Sequence, residues 1–157
     1  MTARLALFED FTVGSSFRSP GATVVTAERI ARFAADFDPQ PLPQTDPERA
    51  PHHEQAGTIA SGWHTAAVAM RLLVESDLGL HGQGAGVAVK SLRWPKPVRP
   101  GDTLRAEGVV TGARLSRSRP DSGVVEVRVV VRNQEDQVVL EAEHVILVRR
   151  RTPPPPG

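Results

Sequence analysis

The stretch ASGWHTAAVAMRLLVES, residues 60–76, decides how the rest of the chain must fold. Ala66, Ala67, Val68, Ala69, Met70, Leu72, Leu73 and Val74 leave Arg71 as almost its only polar position. A helix apolar nearly all round is expected to be buried. Ser61, ahead of Gly62 and Trp63, is its expected N-cap. Such a helix needs a surface to cover it, and the sequence that follows supplies one. From Gly84 the apolar period changes to two, so that GVAVKSLRW, DTLRAEGVVTGARL, GVVEVRVVVRNQ and QVVLEAEHVILVRR read as strands. Turn signals at PVRPGD, SRPDSG and NQED divide them. Val125, Val127, Val129 and Val131 alternate with Glu126, Arg128 and Arg132, while Leu140, Ala142, His144, Ile146 and Val148 share a face. Turns this short favour antiparallel meander pairing over crossovers. The expected fold class is therefore α+β, a strongly curved antiparallel sheet wrapped around a long buried central helix.

Upstream, a short strand is expected near Phe8 to Phe17, and ATVVT also reads as β. Thr26 is the expected N-cap of AERIARFAADF, in which Ile30, Phe33, Ala34 and Phe37 recur at amphipathic helical spacing and Glu28 lies in the first turn. From Asp38 to about Gly57 the chain has five prolines and no apolar periodicity. That is long for a connection inside a compact domain and points to a functional loop.

At 157 residues and 39% hydrophobic content the chain makes one domain with a real core. We place that domain at residues 1–149, with residues 150–157 forming a proline-rich tail, extended or disordered, that cannot join the sheet. Nineteen basic and 18 acidic side chains give a net charge of +1, so no global field points to nucleic acid. There is no cysteine, which excludes thiolate chemistry and suits a reducing compartment. The opening MTARLALFEDF lacks the apolar stretch of a signal peptide, and no uncharged apolar run approaches the roughly 18 residues of a membrane span. A cytoplasmic protein without a membrane partner is expected. No metal is expected either: His52 and His53 are adjacent and cannot form an i, i+4 pair on a helix. There is no nucleophile elbow and no phosphate loop, and GLHGQGAGV precedes a strand where a dinucleotide fingerprint would open a helix.

The long loop joins two helix ends. Asp38 closes the first helix; Ser61, Gly62 and Trp63 open the second. Unpaired N–H groups at a helix start suit a developing negative charge such as a thioester oxyanion, and a carboxylate facing them would give a base opposite an electrophilic clamp. Spacing alone equally allows Asp38 to be a turn residue before Pro39, Ser61-Gly62 to be a simple cap, and His64 to be a core or interface histidine.

FAADFDPQPL followed by TDPERA, GTIASGWHTAAVAMRLLVES and LRWPKPVRPGDTL, in this order, resemble the MaoC-like acyl dehydratases, the (R)-specific enoyl-CoA hydratase branch of the hotdog-fold superfamily. The resemblance covers roughly Phe8 to Arg149. It implies a hotdog homodimer that hydrates or dehydrates the 2,3 position of an enoyl-CoA, with coenzyme A entering only as part of the substrate and no separate cofactor. The family's signature D-x-N-P-x-H falls on DPQP, which puts Asp38 on the aspartate, Gln40 on the asparagine and Pro41 on the proline. Gly62 falls on the glycine that donates its N–H to the thioester oxygen, with Ser61 where many members have histidine and Trp63 beside it at the substrate. The departure is the catalytic histidine. Its position falls on Pro43 counting from Asp38, or on Gln44 counting back from TDP, as if one residue had been inserted. Neither exchanges a proton at neutral pH, and a positioned acid or base contributes roughly 100 to 10,000-fold in rate. The resemblance therefore leaves open an impaired hydratase using Asp38 with Gln44, or with His52 or His53 as substitute. It also leaves open a non-catalytic acyl-CoA binder or subunit and, less favoured, a thioesterase. Arg93, with Lys90, Lys96 and Arg99, is a candidate to meet the substrate's phosphates.

Overall fold

The computed structural model describes residues 5–39, 59–80 and 84–151. A 3-10 turn at Phe8–Asp10 precedes β1 (Ser16–Arg18), β2 (Thr23–Val24), α1 (Ala27–Phe37), α2 (Gly62–Glu75), β3 (Gly84–Arg93), β4 (Thr103–Leu115), β5 (Ser122–Arg132) and β6 (Val138–Arg149). The strands form an antiparallel sheet in the order β1-β4-β5-β6-β3, with β2 pairing β4 off that path. The expected meander is β4-β5-β6. β3 precedes it in sequence but crosses to the far edge, where among the described residues it pairs only with β6.

Alternation along the central strands produces the core. Val125, Val127, Val129 and Val131 are fully buried, as are Leu140, Ala142, Ile146 and Val148 on β6, while Arg128 is exposed. Register shifts at Gly86/Ala88 and Val89/Ser91 on β3, Val110/Gly112 on β4 and Val131/Arg132 on β5 bend the sheet. The curved face receives α2, which packs on β4 and β6 through Ala69, Leu72 and Leu73. This is the hotdog arrangement of a sheet curled around one helix.

Three expectations change. The segment from Phe8 to Phe17 is not one strand. Asp10 Oδ2 accepts from the Leu7 N–H at 2.9 Å, which closes the 3-10 turn, and strand pairing begins only at Ser16. The central helix is buried on one side rather than all round: Trp63, Met70 and Val74 are 62%, 44% and 39% exposed, and with Ala67 they form one stripe at helical spacing. Apolar composition records that the stripe avoids water, not which surface covers it. Phe37 likewise leaves the buried face of α1; it is the last residue of the helix, 74% exposed, and leans on Phe33 with ring centroids 5.1 Å apart.

Of the tail expected at residues 150–157, Arg150 and Arg151 are tied down: the Arg150 N–H donates to the Asp121 carbonyl at 2.8 Å, and the Arg151 guanidinium reaches Asp10 at 2.7 Å; the remainder lies outside the described residues. Among the described residues no helix is long and apolar enough to cross a membrane.

Candidate active site

Both helix ends form as their cap residues dictate. The Thr26 hydroxyl accepts from the Arg29 N–H at 3.2 Å and starts α1, while Ser61 Oγ accepts from the Trp63 N–H at 3.3 Å and starts α2. α1 stops at Asp38, whose N–H still bonds the Ala34 carbonyl at 3.0 Å while its own backbone leaves the helical region at φ −145°, ψ 63°. Pro39 follows and excludes a further helical turn.

The two ends meet. Ser61 Oγ donates to Asp38 Oδ2 at 2.7 Å across 23 residues of chain. The helices run antiparallel along this contact, with Phe33 of α1 stacked on His64 of α2 at 4.9 Å between centroids and 7° between planes. One residue past the hydroxyl that holds the carboxylate, Gly62 begins α2, and its N–H has no intrahelical acceptor. The Ser61 bond thus ties the Asp38 carboxylate to the residue that caps α2, at the positive end of a helix dipole, with Gly62 next in the chain.

Trp94, just past the end of β3, completes the corner. Its indole Nε1–H donates to the Gly62 carbonyl at 2.8 Å, and its ring meets Trp63 edge-on at 5.5 Å. A Cβ on residue 62 would lie 2.9 Å from the Trp94 ring, so only glycine fits between the helix start and the indole. Sequence reasoning passed over Trp94 although it stands in LRWPKPV, one of the motifs that carry the resemblance. A tryptophan after a strand has no periodic signature.

The other candidates are dispersed. Arg93 pairs with Glu141 at 3.4 Å and Lys90 with Glu126, both on the sheet. Lys96 and Arg99 are exposed. Gln40, Gln44, His52 and His53 lie outside the described residues. His64 is buried with Nδ1 unpartnered, and burial, reinforced by the charge of Arg29, holds its pKa below the usual histidine value. Burial also lowers the pKa of His144. Among the described residues no group of three or more acids and histidines is placed to hold a metal.

A sheet curled around a helix, with a carboxylate held by that helix's N-cap serine, defines a hotdog protein with a dehydratase-like corner. The MaoC like domain model matches residues 10–134, and the chain belongs to that family of hydratases and dehydratases. A MaoC-like dehydratase from Rhodospirillum rubrum has a similar structure, with a TM-score of 0.80 and 42% identity, covering 94% of this chain and 99% of its own. The Bacillus subtilis protein YdeM is 32% identical over 144 residues, 90% of this chain and 98% of YdeM. Mesaconyl-CoA hydratase of Cereibacter sphaeroides is 49% identical over 59 residues, which are 38% of this chain and only 17% of that enzyme.

Proposed function

We propose that the protein adds water to, or removes it from, the 2,3 position of an enoyl-CoA thioester. The observation that carries this reading is the 2.7 Å contact that sets Asp38 on the hydroxyl of Ser61, the residue before Gly62. In the hydration direction, water attacks C3 and gives a proton to Asp38. The π electrons move to C2 and onto the thioester oxygen, where the Gly62 N–H holds the developing enolate charge. Protonated Asp38 then returns a proton to C2, so that H and OH are added and the carboxylate is regenerated. Gln44 helps to hold the water, and Gln40, Ser61 and Trp63 line the thioester. Dehydration is the reverse.

With proline or glutamine where the family has histidine, Asp38 carries both proton transfers, so the enzyme is slower than a two-residue site by a large part of the roughly 100 to 10,000-fold such a group contributes. That same substitution favours one alternative, a binder of acyl-CoA that does not turn it over. Purified protein is expected to change the absorbance of crotonyl-CoA as the conjugated double bond is hydrated, and Asp38→Asn to abolish the change while still binding the thioester. Activity that survives Asp38→Asn would remove the base from this scheme. An acyl-CoA that raises the melting temperature with no turnover at any chain length would establish the binder.

The working unit we propose is a cytoplasmic homodimer. Among the described residues β3 has one strand neighbour, and it leaves Val87 and Val89 more than half exposed, at 57% and 52%. An edge of this kind is a template for strand pairing, and a second copy of the chain covers it. Sedimentation at micromolar concentration tests this, and a monomer would refute it.

A further inference from the structure

At the other end of the helix pair, a cavity of about 570 Å³ lies between β2, α1 and α2. Its lining includes Thr23, Thr26, Glu28, Arg29, Arg32 and Arg71. Three guanidiniums thus meet one carboxylate around a single concavity. The arginines are only partly satisfied. Arg71 is held by Glu75 at 2.8 Å, but Arg32 stands 4.0 Å from Asp36 with 83% of its side chain exposed, and Arg29 has no ion pair among the described residues. Glu28, Asp36 and Glu75 balance the three charges in number, but Arg29 has no paired carboxylate among the described residues and that of Arg32 stands at 4.0 Å, so two guanidinium forks are left able to take a further anion. Guanidinium forks match a phosphate's oxygens in geometry, and threonine hydroxyls can donate to the remaining ones.

We propose that this cavity is a phosphate-binding site. Its ligand is a phosphomonoester or diphosphate, either the nucleotide end of the coenzyme A substrate or a separate phosphorylated molecule. The first source rests on the thioester reading above, and the geometry supports it. Arg71 follows Gly62 by nine residues and Arg29 precedes Asp38 by nine. At 1.5 Å per residue the cavity lies about 14 Å along the helices from the acid and amide, comparable with the reach of an extended pantetheine arm. The strand cations Lys90 and Arg93 pair with Glu126 and Glu141 on the sheet and do not line this cavity.

Calorimetric titration of the full chain tests the site. The probes are adenosine 3′,5′-bisphosphate, coenzyme A, inorganic pyrophosphate and a pantetheine thioester without phosphate, against wild type, R29A/R32A, R71A and R29K/R32K. The nucleotide is expected to bind wild type, more weakly at high salt, and R29A/R32A to lose about tenfold or more in affinity. R71A is expected to lose less, and the lysine variant to retain part of the binding because charge survives without the fork. If coenzyme A weakens in parallel and the phosphate-free thioester does not, the occupant is the substrate's nucleotide end. If only pyrophosphate binding depends on the arginines, the occupant is a separate ligand. Absence of saturable binding by all the phosphate probes, or affinities unchanged in R29A/R32A with an unchanged melting profile, would overturn the site. Coenzyme A has no double bond to hydrate, so these results stand whether or not the protein proves to be a hydratase.

Discussion

Ser61→Ala removes two interactions at one atom, and the distances indicate which matters more. As a cap, Ser61 Oγ accepts from the Trp63 N–H at a long 3.3 Å; as a donor, it meets Asp38 Oδ2 at 2.7 Å. Loss of an N-cap costs about 1 kcal/mol. A hydrogen bond to a charged group contributes about 1.5–3 kcal/mol, and at this half-buried position we take the low end, roughly 1.5 kcal/mol, with the weak cap adding about 0.5 kcal/mol. A total near 2 kcal/mol lowers the melting temperature by about 4–8 °C in a domain of this size. Scanning calorimetry on Ser61→Ala, Asp38→Ala and the double variant isolates the contact. If the bond carries most of the effect, the double variant is more stable than the sum of the singles predicts, by about 1–1.5 kcal/mol. Additivity within about 0.3–0.5 kcal/mol would refute the reasoning, because independent sites behave that way. Ser61→Thr, which keeps the hydroxyl, should recover most of the loss.

Gly62→Ala forces a Cβ to within 2.9 Å of the Trp94 ring and should destabilise by about 1–3 kcal/mol; Trp94→Ala in the same chain relieves the clash, so the double variant melts above the sum of the singles. Leu73→Ala, at a site 2% exposed between α2 and the sheet, should cost about 2–5 kcal/mol by urea unfolding with the slope unchanged. His64 and His144 both have pKa values lowered by burial, so the unfolded chain binds more protons than the folded one just below the ordinary value of 6.5. Stability is therefore full above that pH and falls as the pH drops through the window down to the lowered values, by up to about 1.4 kcal/mol per pH unit for each group. His64→Gln should make the decline between pH 6.5 and 5.5 shallower, and an unchanged pH profile would show that burial of His64 is not coupled to folding.

The meander was legible because β5 and β6 bury most of one face, and burial of one face writes a period of two into the residues. Thr26 and Ser61 were legible as caps because a hydroxyl before an apolar run has a local mechanism. What escaped were features set by distant partners. β3 carries the same alternation as its neighbours, yet its place at the edge depends on which strand it joins, which no local pattern encodes. The open stripe of α2 and the exposed Phe37 reflect surfaces that nothing described covers. At the site, Asp38 and Gly62 came from the resemblance, whereas the Ser61 to Asp38 bond and the Trp94 to Gly62 bond needed coordinates, since the first joins residues 23 apart and the second 32 apart.

The Ser61 to Asp38 bond also pins residues 39–60 into a ring with fixed ends. The closure entropy of such a ring rises only logarithmically with its length, so one more residue among these 22 changes it by about 0.04 kcal/mol. A one-residue insertion, of the kind that would move the histidine position implied by the resemblance from Pro43 to Gln44, is therefore almost without effect on the closure of this segment. Folding stability thus places almost no constraint on the register of this segment relative to Asp38 and Ser61.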